Sequence, residues 1–206
     1  MTDGRSAKID LRQISTINKL GQVGTQGMGE NLTMLGNGEA TMDVRKMETL
    51  DIVERHTELS EDKRVGIRVR LNDAPGGHLL VMFPQSSAQK VTELMLSNAV
   101  DDMDDVSQEM AQSAAEELGH MLVNGFIDAW ADAFGLEVDH STPKLLYDPA
   151  KVILKRTAMM GDNPLAIVFH TTITVDDETV SAEIYLFPDT DTFVQMLDAI
   201  SESSDE

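Results

Sequence analysis

A set of polar residues in the second half of the chain recurs at a spacing that brings them to one side of a helix. At about 100° per residue, their side chains fall within about 60° of one another. Carboxylates and imidazoles take part in charge pairing and proton transfer, so this face is a candidate site for chemistry on a partner molecule. We call it the polar ridge, and it consists of Ser113, Glu117, His120 and Asn124.

The apolar residues around the polar ridge follow the three-or-four spacing of a helix with one buried stripe. They predict a long helix from about residue 104 to residue 134, with the polar ridge pointing away from the core. The predicted stripe consists of Val106, Met110, Ala114, Leu118, Met121, Leu122, Phe126, Ala129 and Ala133.

Gly119 interrupts this predicted helix, where a glycine costs about 1 kcal/mol relative to alanine. Its position lies beside the polar ridge, so we interpret it as a missing side chain that lets another backbone approach the ridge closely. The alternative is that Glu117 and His120 are ordinary solvated surface residues. Position alone leaves both interpretations open.

Other kinds of site are poorly supported by the sequence. The chain has no cysteine, which excludes disulfides and thiolate sites. Glu117 and His120 have the Glu-x-x-His spacing of di-iron helical bundles, but those sites need two such motifs and two further glutamates. The other histidines show no ligand spacing, and His170, in an apolar strand pattern, is interpreted as structural. We expect no metal and no cofactor of the chain's own.

The charge balance is strongly acidic. The chain has 36 acidic against 16 basic residues, for a net charge of −20. Such a chain should repel nucleic acid and anionic membranes. Because the acidic residues are spread along the whole length, we favour a halophilic protein that works in concentrated salt, where charges are screened within about 3 Å at 1 M. The alternative is a mesophilic acidic protein that docks on a basic partner.

The apolar runs are short. The longest, such as HLLVMF and LAIVF, could not span a bilayer, and MTDGRSAKID has no secretory apolar region. We expect a cytoplasmic protein without membrane insertion.

The order of predicted elements repeats. The first half reads as a helix over 9–34, a strand at ATMDVRK, a hairpin of GIRVRL and HLLVMF, and a helix at AQKVTELML. The second half reads as the long helix, strands at LEVDH and PKLLYD, a hairpin of LAIVFHTTITV and VSAEIYLFP, and a closing helix at TDTFVQMLDAI. Residues 98–103 read as a polar connector between the halves.

Two local matches support the repeat. KLGQ at 19–22 matches ELGH at 117–120, and Phe83-Pro84 matches Phe187-Pro188 at an offset larger by six residues, so the second half should carry an insertion. We predict an α+β fold with pseudo-twofold symmetry, in which a central antiparallel sheet is flanked by two long helices and by shorter ones. The expected domain is one unit over 1–206, with halves at about 9–97 and 104–201 and flexible termini at 1–8 and 202–206.

The polar ridge and the residues after it resemble the CheC family of chemotaxis phosphatases, which includes CheX and FliY relatives. The family pattern is Ser or Asp, three residues, Glu, two residues, Asn, twenty-two residues and Pro. This chain has Ser113, Glu117, His120 in place of the asparagine, and Pro143. The resemblance covers about forty residues of text from SAAEELGH to LLYD, and nearly the whole chain in its two-half organisation.

At the equivalent positions of the first half, three of the four residues differ from this pattern. It gives Ser15, Lys19 for the glutamate, Gln22 for the asparagine and Arg45 for the proline. The charge at the acidic position is reversed, so we expect this first motif to be inactive.

The resemblance implies a function. Members of this family dephosphorylate the response regulator CheY, which holds its phosphoaspartate, a lysine and Mg²⁺ in its own cleft. Glu117 would pair with that lysine, and the residue at 120 would position the attacking water, with Asn124 a substitute only if the partner docks one turn further along. Imidazole offers a donor and an acceptor as an amide does, in a different geometry and with the ability to become charged.

Two functions are therefore expected, in different classes. The first is a phosphatase of phosphorylated CheY. The second is a catalytically weak or inactive adaptor that binds phosphorylated CheY or the receptor deamidase CheD, which family members also bind. An unrelated acidic scaffold is a distant third.

Overall fold

The computed structural model describes residues 11–34, 40–55, 57–96, 106–161, 164–175 and 178–203. In these ranges the chain forms five helices and six strands. In chain order they are α1 Leu11–Thr33, β1 Ala40–Asp51, β2 Lys63–Arg70, β3 His78–Pro84, α2 Gln85–Leu96, α3 Gln108–Phe134, β4 Lys144–Pro149, α4 Ala150–Ala158, β5 Leu165–Val175, β6 Glu178–Phe187 and α5 Thr190–Ser203.

The six strands form one sheet in the order β1-β5-β6-β3-β2-β4, and every neighbouring pair is antiparallel. The two halves of the chain interleave in it, because β1 of the first half pairs with β5 of the second, and β4 of the second pairs with β2 of the first. The predicted α+β class, the antiparallel sheet and the repeated element order are confirmed.

Helices cover both faces of the sheet, and each covered face has its own apolar cluster. The larger cluster joins α1, α2, α3 and α5 to one face, which we call the helix face. The smaller cluster joins α4 to the opposite face, which we call the outer face. Because alternate side chains of a strand point to opposite faces, strands such as β3, β5 and β6 contribute to both clusters.

The two long helices, α1 and α3, run antiparallel and touch at a pair of glycines. A Cβ built on Gly27 would collide with the backbone oxygen of Gly125, and one on Gly125 would collide with that of Gly27. Near one end of this contact, the indole nitrogen of Trp130 donates to the carbonyl oxygen of Leu20 at 2.8 Å. The close approach fixes the rotation of α3 and therefore the side that it turns to solvent.

Two local predictions differ from the structure, and others fall outside the described residues. LEVDH is not a regular strand, since only His140 forms a bridge, with Leu71. The helix α4 was not predicted at all, and it occupies part of the insertion expected in the second half. The predicted connector at 98–103 and most of the predicted flexible termini lie outside the described residues, although α5 includes Glu202 and Ser203.

The buried stripe of α3 is also broader than predicted. Met110 is 37% exposed and Ala133 is exposed, whereas Val123, Ile127 and Trp130 are buried. The physical reason is that α3 packs on two partners, the sheet and α1, so its buried arc is wider than a single stripe.

Candidate functional site

The polar ridge lies on the exposed side of α3. The helix begins after Ser107, whose side chain accepts a hydrogen bond from the backbone nitrogen of Met110 at 3.2 Å, and it ends at Gly135 in the left-handed region with φ 63°. Such caps satisfy backbone groups at both helix ends. Between them, Ser113, Glu117 and Asn124 are exposed and His120 is partly buried.

Glu117 and His120 are two ridge residues that remain available to a partner. Within the described part of the chain, neither side chain makes a hydrogen bond or an ion pair. Their Cβ atoms, three positions apart on a helix, lie about 5–6 Å from each other. A carboxylate and an imidazole are thus presented together on one convex surface.

Asn124 is engaged inside the protein instead. Its Oδ1 lies 3.1 Å from Nε2 of His140, whose Nδ1 lies 2.9 Å from the carbonyl oxygen of Ser141. A carbonyl oxygen can only accept, so Nδ1 of His140 donates to it. Nε2 of the neutral ring is then an acceptor, and the amide of Asn124 donates to it through Nδ2 when its two ends are exchanged. The chain reversal at Gly135 brings His140 back to the helix, and no spacing in the sequence indicated this contact.

Pro143 follows this contact and precedes β4. The segment before it is held against β2, because the backbone nitrogen of Ser141 donates to the carbonyl oxygen of Arg70 at 2.9 Å, and the backbone nitrogen of Arg70 donates to Oγ of Ser141 at 3.0 Å. Pro143 itself is partly buried. A proline cannot donate to a neighbouring strand, and the regular pairing of β4 with β2 begins at the next residue, Lys144.

Gly119 does not lie on the exposed flank of the ridge, so our interpretation of it was wrong. It is buried, and a Cβ there would lie 2.9 Å from Cγ2 of Ile67 on β2. Its counterpart Gly21 likewise faces Phe169 on β5, where a Cβ would collide with the ring. Both glycines let a long helix lie close to the sheet, which explains their presence without a partner.

A shallow hollow of about 630 Å³ adjoins the N-terminal half of the ridge. Its lining combines polar and apolar side chains, namely those of Ser107, Glu109, Ser113 and Glu117 with Leu96, Met110 and Ala114. A side chain with an aliphatic stem and a positive end would find suitable contacts there.

The first motif is placed differently. Ser15, Lys19, Gln22 and Arg45 are all exposed, but Nζ of Lys19 lies 5.4 Å from the centre of the Phe134 ring, a cation–π distance. Nε of Arg45 donates to Oγ1 of Thr172 at 3.0 Å, at a bulge in β1 between Val44 and Lys46. This face therefore presents no carboxylate at the position of Glu117.

His170 lies on the outer face between two carboxylates. Its Nε2 is 2.6 Å from Oε1 of Glu48 and its Nδ1 is 3.4 Å from Oε1 of Glu183. Hydrogen bonds from Lys46 and from His170 hold the pKa of Glu48 below its usual value. This agrees with a structural histidine, and among the described residues no group of three or more acidic or histidine side chains is placed to hold a metal ion.

No helix in the described ranges combines the length and the apolar character needed to cross a membrane.

The fold defines the class of the protein. FliY of Thermotoga maritima superposes with a TM-score of 0.76 at 13% identity, over 94% of this chain and 98% of that one. The FliM middle domain of H. pylori superposes with a TM-score of 0.65 at 9% identity, over 93% and 99%. This is the α+β fold of FliY and FliM middle domains.

Sequence relatives then give the family. CheC1 of Halobacterium salinarum, a proposed CheY-P phosphatase, is 33% identical over 195 residues, which are 95% of this chain and 100% of the relative. The CheY-P phosphatase CheC of Bacillus subtilis is 22% identical over 204 residues, covering 95% and 97%. No family model matches the chain. The chain belongs to the CheC family of chemotaxis proteins.

Proposed function

We propose that this protein is a phosphatase of phosphorylated CheY and that Glu117 and His120 of α3 are its catalytic residues. The observation that carries the proposal is an exposed carboxylate and a partly buried imidazole one turn apart on α3, at the positions where the family pattern has its acid and its amide. Neither makes a hydrogen bond or an ion pair among the described residues. CheY is a cytoplasmic regulator in this scheme, so the protein would act in the same compartment.

A convex helix suits a substrate that carries its own cleft. In the regulator, the phosphoaspartate, a lysine and Mg²⁺ lie together, so the phosphatase needs no metal of its own. Glu117 would pair with the lysine and hold α3 in register. His120 would then face the phosphorus atom from the side opposite the aspartate, where a water must be placed for in-line attack.

The chemical step is hydrolysis of an acyl phosphate. The oxygen of the water forms a bond to phosphorus, and the bond from phosphorus to the aspartate oxygen breaks with its electrons left on the carboxylate. The unprotonated ring nitrogen of His120 orients the water and accepts its proton. The products are inorganic phosphate and the free aspartate of the regulator.

The position of Asn124 supports giving this role to His120. The amide of Asn124 is held by His140, which is itself fixed by the carbonyl oxygen of Ser141. Using that amide on a partner would require breaking this contact. The hollow beside Ser113 and Glu117 could at the same time receive a long side chain of the regulator.

The second candidate is an adaptor without efficient hydrolysis. The replacement of the family's asparagine by His120 favours it, because a bulkier ring presents its donor and acceptor at different angles from an amide. Such a protein would bind phosphorylated CheY, or CheD, through the same face of α3 and leave the phosphate in place.

The test is the decay of phosphorylated CheY from the same organism, followed in high salt with increasing amounts of this protein. A phosphatase raises the decay rate at substoichiometric amounts, so that each molecule turns over several regulators. Binding of phosphorylated CheY with an unchanged decay rate, even at equal concentrations, would establish the adaptor instead. Absence of both effects would remove CheY from the account.

A further inference from the structure

The strand β2 has a charge opposite to that of the whole molecule. Its sequence, KRVGIRVR, contains four of the 16 lysines and arginines of the chain and no acidic residue, whereas the net charge of the chain is −20. Cationic residues are scarce in this protein, so their concentration on one strand calls for a physical reason.

Part of this charge gathers on the outer face of the sheet. Arg68 and Arg70 alternate with Val69 and Leu71, which point into the cluster of the helix face. In the sheet register, Arg68 lies directly opposite Lys144 on β4, and Arg70 lies directly opposite His78 on β3. We call Arg68, Arg70, Lys144 and His78 the basic strip. It crosses three adjacent strands, a width of about 10 Å.

The cations Arg68, Arg70 and Lys144 of the basic strip have no ion-pair partner in the described part of the chain. Among the residues that the structure describes, no carboxylate lies within 4.0 Å of the side-chain nitrogens of Arg68, Arg70 or Lys144. Like charges directly opposite each other in a sheet are destabilising. Arg68 is also partly buried, and burial lowers the pKa of its guanidinium. In isolation, this arrangement weakens the fold.

His78 is part of the basic strip, and its ring is affected by the positive charges of its neighbours. It is 9% exposed, and its Nδ1 is buried without a hydrogen-bond partner among the described residues. Burial, followed by the charges of Arg68 and Arg70, lowers the pKa of His78, and the nearby carboxylate of Asp189 opposes this only in part.

We propose that the basic strip is a docking surface for an acidic segment of a partner protein. Charge complementarity identifies the occupant. The protein as a whole is strongly acidic and repels acidic segments, whereas the cations of the basic strip make it the surface where an acidic segment meets the least repulsion. The planar guanidinium groups of Arg68 and Arg70 match carboxylates in pairs. A strip about 10 Å wide accommodates several carboxylates of one segment, which is more than a single phosphate group could reach.

This surface is separate from the proposed catalytic face. The polar ridge projects from α3, which packs on the helix face, whereas the basic strip lies on the outer face beside the cluster of α4. A regulator on α3 and an acidic segment on the strip could therefore be bound together. The inference goes beyond the proposed function and does not depend on it.

The experiment measures binding of a fluorescent, glutamate-rich decapeptide to the full chain by anisotropy, at several salt concentrations. The test variant is the double substitution Arg68→Gln and Arg70→Gln. The matched control is Lys151→Gln with Arg156→Gln, which changes the net charge equally but removes cations already paired with Glu61 and Asp148. We expect the test variant to lose at least about tenfold in affinity and the control to lose less than about twofold.

Folding of the test variant is checked by its melting temperature, which should equal or exceed that of the wild type because a like-charge contact is removed. The variant should also accelerate CheY-P decay as the wild type does. The proposal is overturned if the peptide does not bind, if both double variants weaken it equally, or if inorganic phosphate binds at the strip and the peptide does not.

Discussion

In the proposed function, His120 is the residue that would position the water for attack on the phosphoryl group. An amide presents its donor and acceptor on a short, planar group, whereas the imidazole is bulkier and can also take a proton. The side chain of His120 is partly buried in the folded protein. We expect the natural residue to be active but slower than an asparagine at the same place.

The substitution His120→Asn should therefore raise the acceleration of CheY-P decay, and His120→Ala should lower it by about tenfold or more, because a mispositioned water reacts far less often. Asn124→Ala is the matched control and should stay within about twofold of the wild type, since that amide serves His140. If Asn124→Ala instead abolishes the acceleration and His120→Ala does not, the roles of the two residues are reversed.

The lowered pKa of His78 predicts how the free energy of unfolding depends on pH. Its pKa in the folded protein lies below the value of about 6.5 in an unfolded chain. The unfolded state therefore binds more protons in the window between the two values, and the free energy of unfolding falls as the pH is lowered through it. The measurement is an NMR titration of the His78 ring.

The same titration in the Arg68→Gln, Arg70→Gln variant separates the causes. Removing the two charges should move the pKa of His78 upward, although burial will keep it below that of a free imidazole. An unchanged pKa would mean that burial alone sets it and that the strip exerts no field on His78.

The side of a helix on which a residue lies could be predicted from the sequence where the helix has one regular period. The spacing of Ser113, Glu117 and Asn124 predicted one side, and the structure exposes all three. The role of Gly119 was predicted wrongly, because the side chain that requires a glycine there belongs to Ile67, about fifty residues away in the chain. The contact of Asn124 with His140 depends on the reversal after α3, which no local pattern indicates.

At the scale of elements, the glycines of the long helices set how closely the layers pack. A methyl group at Gly125 would meet the backbone of Gly27, which cannot move aside without separating α1 from α3. A methyl group at Gly119 would meet the branched side chain of Ile67, which is itself buried. At these positions a glycine lowers the helix propensity but lets the neighbouring element pack closely against α3.

We expect Gly125→Ala to lower the free energy of unfolding by about 3 kcal/mol and Gly119→Ala by about 1 kcal/mol, the overpacking cost in the latter being partly offset by better helix propensity. Urea unfolding at constant high salt measures both. Ser113→Ala, on the exposed side, is the control and should change stability by less than about 0.5 kcal/mol. A stabilising Gly119→Ala would show that the helix does not need to lie so close to the sheet.

The elements that could be predicted were those with a long, regular pattern. The two long helices, both hairpins and the closing helix follow from periodicity and turn residues. The helix α4 has only nine residues and begins directly after Pro149, so its pattern merged with the strand before it. LEVDH alternates like a strand, but it meets a neighbour only near Leu71, where β2 has already ended.

For the whole molecule, the net charge of −20 predicts a dependence on salt. Self-repulsion of a compact acidic chain weakens as salt shortens the screening length. We expect the melting temperature to rise by roughly 10 °C between dilute buffer and about 3 M KCl, which corresponds to about 3 kcal/mol for a chain of this size.

Sucrose, which stabilises proteins without screening charges, is the control for this effect. A rise in melting temperature with KCl well beyond that with sucrose supports a halophilic protein. A melting temperature that is insensitive to KCl would favour the mesophilic alternative, in which the acidic surface serves a basic partner.

The interleaved sheet also separates the two surfaces on which the account depends. The polar ridge stands on α3 over one face, and the basic strip lies on the other. The sequence alone indicated the first through its helical spacing. It could not indicate the second, because Lys144 joins β2 only through a strand pairing between distant parts of the chain.

The most direct test of the central claim is the rate of CheY-P decay with the Glu117→Ala variant. We expect this variant to lose the acceleration seen with the wild type, while Glu116→Ala, which removes a neighbouring exposed carboxylate hydrogen-bonded to Gln112, and Lys19→Ala on α1 both keep it. Acceleration by Glu117→Ala equal to that of the wild type would contradict the account and place the catalytic face elsewhere.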